Sequence, residues 1–485
     1  MDGTRENQGS GTYDVVVLGA GPVGQNVADH ARAAGLTVAV IERELVGGEC
    51  SYWACVPSKA LLRPVIAIAD ARRVDGARQA VTGPPDSEAV FARRDHYVTD
   101  WDDTGQAEWV KSIGADLFRG HGRIDGPRRI TVTRDDGAQH TLTARHAVAV
   151  ATGSRPLLPD IPGIEEARPW TNRQGTDSST VPGRLAIVGA GGVGIEMATL
   201  WQGLGSQVTL IARRHLIPRM EPFAGELVAR GLTEAGVDVR TGTRVTALRR
   251  PDPTGPVTLT LGDGNEVQAD EVLFATGRTP GTDDIGLDTV GLTAGSWLDV
   301  DTTCLVRGVD GAWLYALGDV NHRALLTHQG KYQARTAGDA IAARAAGRPV
   351  DDEPWGDHAT TADQQAVPQV FFTDPEAAAV GLTAEQAVEA GHRVRTVDVD
   401  FSAVQGANLY ADDYRGHARM VVDLDREVLL GVTFVGPGIS ELLHSATVAV
   451  AGEVPLKRLR HAVACFPTVS EIWLFLLAAY HRDRD

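Results

Sequence analysis

Two G-x-G-x-x-G turns, at Gly19 and Gly189, each follow a short β-branched run and open a helix-length stretch. That repeat predicts an α/β chain with two Rossmann-like dinucleotide-binding domains. From about residue 351 the pattern changes to alternating strands interleaved with helices and carries no nucleotide fingerprint. This predicts a C-terminal α+β domain, for which an interface role is the simplest inference.

In the first module, Tyr13 to Leu18 reads as a buried parallel strand leading into Gly19, Gly21 and Gly24. A helix to about Ala34 follows, then Gly35 as its stop, then a strand from Thr37 to Ile41 that ends on Glu42. Glycines at this spacing let the backbone approach a pyrophosphate, whose charge rests on the helix N-terminus. A carboxylate at the end of the second strand suits the ribose hydroxyls of a dinucleotide.

The stretch from Gly47 to Lys59 holds Cys50 and Cys55, two of only four cysteines. In an undistorted α-helix, residues five apart have Cα atoms roughly 8 to 9 Å from each other. A disulfide tolerates less than about 7 Å. If the two thiols pair, the backbone between them must therefore bend, and Gly47-Gly48 could supply the entry to the turn. Pro57 suits the first turn of a helix from Ser58 to about Arg73. A thiol at that helix start would be expected to have a lowered pKa. Two structural or unpaired thiols lying close together is the other reading. Cys304 and Cys465 read as plain buried residues.

Residues 69–125 carry no assignable function. Two β-rich stretches, Arg129 to Leu142 and Ala147 to Val150, lead to the small-residue turn Ala151-Thr152-Gly153. The second module then restarts: a strand from Leu185 to Val188, the turn Gly189, Gly191 and Gly194, a helix, Gly205, and a strand from Gln207 to Ile211. Two dinucleotide sites in one chain suit a redox flavoprotein, one holding FAD and the other NAD(P)H. Here the second strand ends on Ala212 rather than an acid, with Arg213, Arg214 and Arg219 after it. Guanidinium groups in place of a carboxylate suit a 2′-phosphate, so NADPH is preferred over NADH; a solvated basic loop is the alternative.

Val257 to Leu261 and Asp270 to Phe274 read as a hairpin arm and a strand ending in Ala275-Thr276-Gly277. Trp313 to Leu317 is another apolar strand, closed by Gly318-Asp319, where the acid serves either a ligand or a turn cap. A helix from His328 to Ala345 and a linker from Val350 to Pro354 follow. The C-terminal strands are Thr396 to Phe401, Gly416 to Asp423 and Leu429 to Val435. Its helices are Thr383 to Ala390, Gly438 to Val450 and Ser470 to His481.

Composition bounds the function. Hydrophobic residues make up 43% and charged residues 22%, a globular profile with no stretch of membrane-spanning length. A net charge of −17 argues against nucleic acid or an anionic membrane surface as partner. The polar residues 1–12 read as a flexible tail of a cytoplasmic protein. Four cysteines are too few for a disulfide framework, so a pair is more readily catalytic than structural. No metal site is expected.

With both fingerprints and the thiol pair in place, the chain from Tyr13 to Ala479 resembles the pyridine nucleotide-disulfide oxidoreductases, the group of glutathione reductase, lipoamide dehydrogenase and mercuric reductase. The resemblance rests on Gly47-Gly48-x-Cys50-x4-Cys55-Val56-Pro57-Ser58-Lys59 and Ala151-Thr152-Gly153. It also rests on Leu314-Tyr315-Ala316-x-Gly318-Asp319 and Phe372-Thr373-Asp374-Pro375-Glu376-x3-Val380-Gly381. It implies an FAD-binding domain over 13–155 and 280–350, an NAD(P)-binding domain over 156–279 and a dimerisation domain over 351–485 that forms a homodimer. Glu42, Thr152, Gly153, Gly318 and Asp319 would then serve FAD, and Gly277 the nicotinamide nucleotide. The resemblance further implies a redox-active Cys50–Cys55 disulfide, with Cys55 beside the flavin and Cys50 exchanging with substrate. Lys59 would pair with Glu196 near the flavin.

One segment departs from the family. Members that act on organic disulfides carry His-x-His-Pro-Thr-x2-Glu, whose second His is the acid/base serving the thiols across the dimer interface. Here the run is Ala464-Cys465-Phe466-Pro467-Thr468-Val469-Ser470-Glu471: Phe466 stands in the base position and Glu471 keeps the residue that would orient it. A phenyl ring moves no protons, and general acid/base help is worth about 10² to 10⁴ in rate. His461 and Tyr52 are the candidate substitutes for the base, and Cys465 is a candidate third thiol opposite the partner's disulfide. Between the thiols, Tyr52-Trp53 either packs against the flavin domain or offers a stacking surface to a flat acceptor. The expected function is an FAD-dependent NADPH oxidoreductase handing electrons through Cys50 and Cys55 to a small-molecule acceptor: a quinone, a metal ion, a dithiol metabolite or O₂. A dihydrolipoamide dehydrogenase-like enzyme with a substitute base, and a redox-sensing flavoprotein with little turnover, are the alternatives.

Overall fold

The computed structural model describes residues 11–482, so the N-terminal tail lies outside the described residues except for Gly11 and Thr12. Those two do not belong to a tail: they open the first strand, Gly11–Leu18, paired with Leu142 and Thr143. Of the C-terminal residues after Ala478, those up to Arg482 complete the last helix.

The chain falls into two compact units. The first comprises residues 1–56, 95–155 and 278–363. Its sheet runs in the order Asp116–Arg119, Val38–Glu42, Gly11–Leu18, Gln139–Val150, Arg129–Thr133 and His121–Ile124, with Leu314–Ala316 added to Gln139–Val150. The first four strands and Leu314–Ala316 are parallel. Both faces of such a sheet are covered, which is why the strands are apolar without alternation. Val15 and Val17 pack with Val27 and Ala31 of helix Pro22–Ala33 and with Ala334 and Ile341 of helix Thr327–Ala345. Val16 and Leu18 pack on the opposite face with Leu142 and Trp313. The two expected β-rich stretches are divided differently: Arg129–Thr133 is one strand, and Gln139–Val150 is a continuous second one.

The second unit comprises residues 57–94, 156–277 and 364–485. A parallel sheet in the order Asp238–Arg240, Gln207–Ile211, Arg184–Val188, Glu271–Phe274 repeats the first module's motif, and an antiparallel sheet of Val245–Arg249, Val257–Leu261 and Glu266–Ala269 adjoins it in sequence. The turn into helix Gly192–Gly203 copies the turn into Pro22–Ala33. A Cβ at Gly24 would lie 1.9 Å from the Gly19 carbonyl oxygen, and one at Gly194 would lie 1.8 Å from that of Gly189. Only glycine lets the helix start that close to its own strand. The C-terminal residues form a five-stranded antiparallel sheet: Pro368–Phe371, Glu376–Gly381, Val428–Gly436, His417–Asp423, Val394–Asp400. Its first two strands were not expected, because Pro368 and Pro375 punctuate the sequence there. The helix expected from Gly438 starts only at Leu443.

Two boundaries differ from the sequence expectation. Residues 57–94 group with the second unit because Leu61, Leu62 and Val65 of helix Cys55–Arg72 pack with Leu200, Trp201 and Leu204. Residues 351–363 belong to the first unit because Asp363 is buried in it. Gln329 and Gln333 each donate to its carboxylate, at 2.9 and 2.8 Å. The Gln333 side-chain carbonyl in turn accepts from Gly318 N at 2.7 Å and from Asn321 Nδ2 at 2.8 Å.

Burial pushes the Asp363 carboxyl up to about 6 against the hydrogen bonds from Gln333 and Gln329 and the charge of Arg323. An aspartate in the unfolded chain releases its proton near about 3.9. Between these values the native state holds a proton that the unfolded state has lost, so this group's contribution to stability falls as pH rises through the window. Asp363→Asn removes that slope. The stability advantage of the wild type over the variant, measured by urea unfolding, is therefore expected to be larger at about pH 4 than at about pH 7. A gap that does not change with pH would show that Asp363 is ionised throughout.

Candidate functional site

The thiol pair sits where one helix stops and another begins. Gly47, at φ 124°, and Gly48, at φ 58°, turn the chain into the short helix Gly48–Tyr52, which carries Cys50. That helix ends at Trp53, whose φ is −137°, and the long helix Cys55–Arg72 starts on the second cysteine, with Pro57 in its first turn. The helix therefore begins three residues earlier than expected, and the bend that pairing demands lies at Trp53-Ala54. Both cysteines are free thiols, and Cys50 hydrogen-bonds to Cys55.

A third residue completes the pair. The Thr327 hydroxyl lies 3.2 Å from Cys50 Sγ and 3.3 Å from Cys55 Sγ. It carries one proton, so it donates to one sulfur and accepts from the other thiol. Thr327 is the first residue of the helix Thr327–Ala345, which places both sulfurs at the positive end of a 19-residue helix. Sequence reasoning missed it because 277 positions separate it from Cys50, and threonine at a helix start is an ordinary occurrence. The Cys50 thiol is shifted upward. The hydrogen bond with Cys55, then burial and the charge of Cys55, push it up, while Thr327 and Lys331 oppose the rise. Two thiols this close do not both ionise readily.

Tyr52 is buried, its hydroxyl 3.4 Å from Gln106 Nε2, and burial raises its pKa. Of the two readings of Tyr52, internal packing holds, and its ring offers no exposed stacking face. Cys304 is fully buried and its thiol pushed up to about 12 by desolvation, which makes it inert. Cys465, in contrast, is exposed rather than buried. Phe466 beside it is 73% exposed and Val463 88%, an apolar stretch on the C-terminal part of the chain. One oxygen of the Glu471 carboxylate is buried and lacks a hydrogen-bond partner among the described residues.

The groups expected to hold FAD fit that cofactor. Glu42 ends its strand buried, accepting from Ala20 N at 2.7 Å and Glu44 N at 2.8 Å, and burial pushes its carboxyl up. The space beside Gly21 is open, whereas Gly19 and Gly24 are closed by backbone. Thr152 Oγ1 is buried without a partner among the described residues, an acceptor or donor waiting for a ligand. Asp319 stands in the short 3₁₀ turn Gly318–Asn321, accepts from Ser154 Oγ and lies 3.8 Å from Arg278 Nε; burial raises its carboxyl as well. Ser154 and Arg278 are further residues of this loop cluster that the sequence did not single out.

In the second unit, Lys59 donates to Glu196 Oε2 at 2.7 Å, as the resemblance implies. The other oxygen, Oε1, accepts from Phe372 N at 3.1 Å, and the Lys59 ammonium lies 4.9 Å from the centre of the Phe372 ring. Glu196 is thus fully engaged though buried. The space beside Gly191 is open, like that beside Gly21. Arg213 and Arg219 are exposed and make no hydrogen bond or ion pair among the described residues. Gly277 adopts φ 140° and accepts from Leu157 N. Among the described residues no helix is long and apolar enough to cross a membrane.

Comparison with known proteins agrees with this arrangement in both parts of the chain. Residues 13–347 match the family model described as pyridine nucleotide-disulphide oxidoreductase, and residues 367–474 match its dimerisation domain. Dihydrolipoyl dehydrogenase 3 of Pseudomonas aeruginosa is 32% identical over 465 residues, covering 94% of this chain and 95% of that protein. The mercuric reductase of Staphylococcus aureus is 30% identical, covering 98% of this chain and 83% of its own. Among solved structures, LpdA from Mycobacterium tuberculosis superposes with a TM-score of 0.80 at 26% identity, covering 97% and 99% of the two chains. The flavoprotein disulfide reductase RclA from Escherichia coli shares the fold at a TM-score of 0.81, 23% identity and coverage of 96% and 99%. Likeness of this extent, through the nucleotide-binding parts and the dimerisation part alike, makes the protein an FAD-dependent, homodimeric enzyme that belongs to the pyridine nucleotide-disulfide oxidoreductase family.

Proposed function

We propose that the enzyme takes electrons from NADPH and passes them through Cys50 and Cys55 to a small acceptor that needs no histidine base. The observation that carries this reading is a thiol pair held by the Thr327 hydroxyl in a chain whose base position is Phe466. Bound FAD, held by Glu42, Thr152, Gly153, Gly318 and Asp319, would supply the two-electron chemistry linking nicotinamide to thiols. The chain's own part is to hold the sulfurs and their protons. The Cys55 thiol and burial favour the protonated form of Cys50 in the reduced pair, and Thr327 and Lys331 act against them. With Cys50 the sulfur that meets the acceptor, Thr327 places a hydrogen-bond donor where its thiolate would form.

NADPH is supported by the replacement of an acid with Ala212 at the strand end and by two exposed guanidinium groups, Arg213 and Arg219, without partners among the described residues. A quinone, a metal ion, a dithiol or disulfide metabolite and O₂ all fit an acceptor that requires no proton relay from residue 466. The second reading is a dihydrolipoamide dehydrogenase-like enzyme with a substitute base, favoured by the 32% identity to the Pseudomonas aeruginosa dihydrolipoyl dehydrogenase. A screen of acceptors against the NADPH-reduced protein decides the substrate class, and fast wild-type oxidation of dihydrolipoamide would favour the second reading.

Three outcomes test the residue assignments. Phe466→His is expected to raise lipoamide or glutathione turnover by about 10² or more, from a negligible wild-type rate; an already fast wild type would contradict the missing base. Replacing Arg213 and Arg219 together with alanine is expected to raise KM for NADPH about 10- to 100-fold and leave that for NADH nearly unchanged, as the loss of charge-assisted bonds predicts. In the reduced enzyme, Thr327→Val is expected to slow iodoacetamide alkylation of the thiol pair about tenfold at neutral pH, because valine keeps the shape and removes the donor.

A further inference from the structure

The helix Thr327–Ala345 presents more to the thiols than its first hydroxyl. Lys331 stands four residues after Thr327, one turn along the same face. Long side chains on a helix lean toward its N-terminus and cover the turn before their own Cα. Such a lean would carry the Lys331 ammonium toward the turn of Thr327, whose hydroxyl is 3.2 Å from Cys50 Sγ. Lys331 is half-buried and makes no hydrogen bond or ion pair among the described residues. A partly desolvated ammonium without a counterion gains from any anion that forms beside it.

We propose that Lys331 is the cation that steadies the thiolate of Cys50. The step is the loss of one proton from the Cys50 thiol to water, leaving a thiolate beside the ammonium; no electron moves. This rests on the reading of Cys50 and Cys55 as the redox pair. The groups facing Cys50 are the Cys55 thiol from the following helix and Thr327 and Lys331 from this one. Its neighbour Glu49 has its carboxylate 4.0 Å from Arg278. Of these, Cys55 opposes ionisation of Cys50, whereas Thr327 and the charge of Lys331 favour it. Lys331 acts through charge at one remove from the reacting sulfur, so its signature is a pH profile rather than a loss of fold.

The test uses the full chain loaded with FAD, reduced with dithiothreitol, desalted without oxygen and alkylated with iodoacetamide across a pH series. Modification of Cys50 is followed by mass spectrometry. Lys331→Met is expected to move the midpoint of Cys50 alkylation to higher pH and to slow the reaction about tenfold at neutral pH, the size of one lost favourable charge. Lys331→Arg, which keeps the charge, is expected to stay within about threefold of wild type. FAD content equal to wild type confirms that both variants are folded. A wild-type profile for Lys331→Met overturns the proposal, and so does a Lys331→Arg profile as displaced as that of Lys331→Met, since packing rather than charge would then be at work. A separate arm adds NADPH to the oxidised wild type and counts the thiols released at Cys50 and Cys55. No release would sink the redox-pair reading, whereas the alkylation profiles decide the role of Lys331 on their own.

Discussion

The Thr327 hydroxyl between two sulfurs is the contact on which the thiol site depends, and it depends in turn on where one helix begins. A shift of a single residue would rotate the threonine about 100° away and replace it with Leu326 or His328. The start of Thr327–Ala345 is fixed by apolar packing along its length, through Ala334, Ala337 and Ile341. Close to the thiols it is fixed by polar groups. Gln329 and Gln333 reach the carboxylate of Asp363, and Gln333 also accepts from Gly318 N and Asn321 Nδ2. A buried network of this kind is costly unless each member is satisfied, and here the donors and acceptors match. The same glutamine thus ties the turn bearing Asp319 to the helix that carries Thr327.

The two dinucleotide modules show one physical solution used twice. In both, the third glycine of the turn has no room for a Cβ because the carbonyl of the first glycine lies against it, and the second glycine faces open space. Packing and ligand approach therefore divide the fingerprint between them. The residues at the end of each second strand separate the modules: a buried, hydrogen-bonded carboxylate at Glu42 in one, exposed guanidinium groups after Ala212 in the other. The first arrangement is preorganised, whereas the second turns its charges toward solvent, where an anion can reach them.

Much of this was legible in the sequence because it depends on short-range patterns. Strand, glycine turn, helix and second strand lie within about thirty residues of each other. The bend between Cys50 and Cys55 followed from helix geometry alone, and the structure places it at Trp53-Ala54. The domain borders were less legible. Residues 57–94 pack through Leu61, Leu62 and Val65 onto Trp201, and nothing local to those leucines names a partner so remote in the chain. Exposure of Cys465 was misjudged for a similar reason, since cysteine is a buried residue by habit and only the course of the C-terminal segment sets this one outside.

By itself the sequence determined the two nucleotide folds, the thiol pair, the Lys59 and Glu196 partners and the phenylalanine in place of a base. Each of these is a matter of residue type at a fixed spacing, or of a motif carried along the chain. Only the tertiary structure decided what surrounds the sulfurs. Thr327 and Lys331 belong to a helix that is remote in sequence, and the Cys50 thiol is shifted upward because a second thiol and burial act on it from outside its own helix. Hydrogen bonds and charges act through space, so a site assembled from three helices has no signature in any one of them.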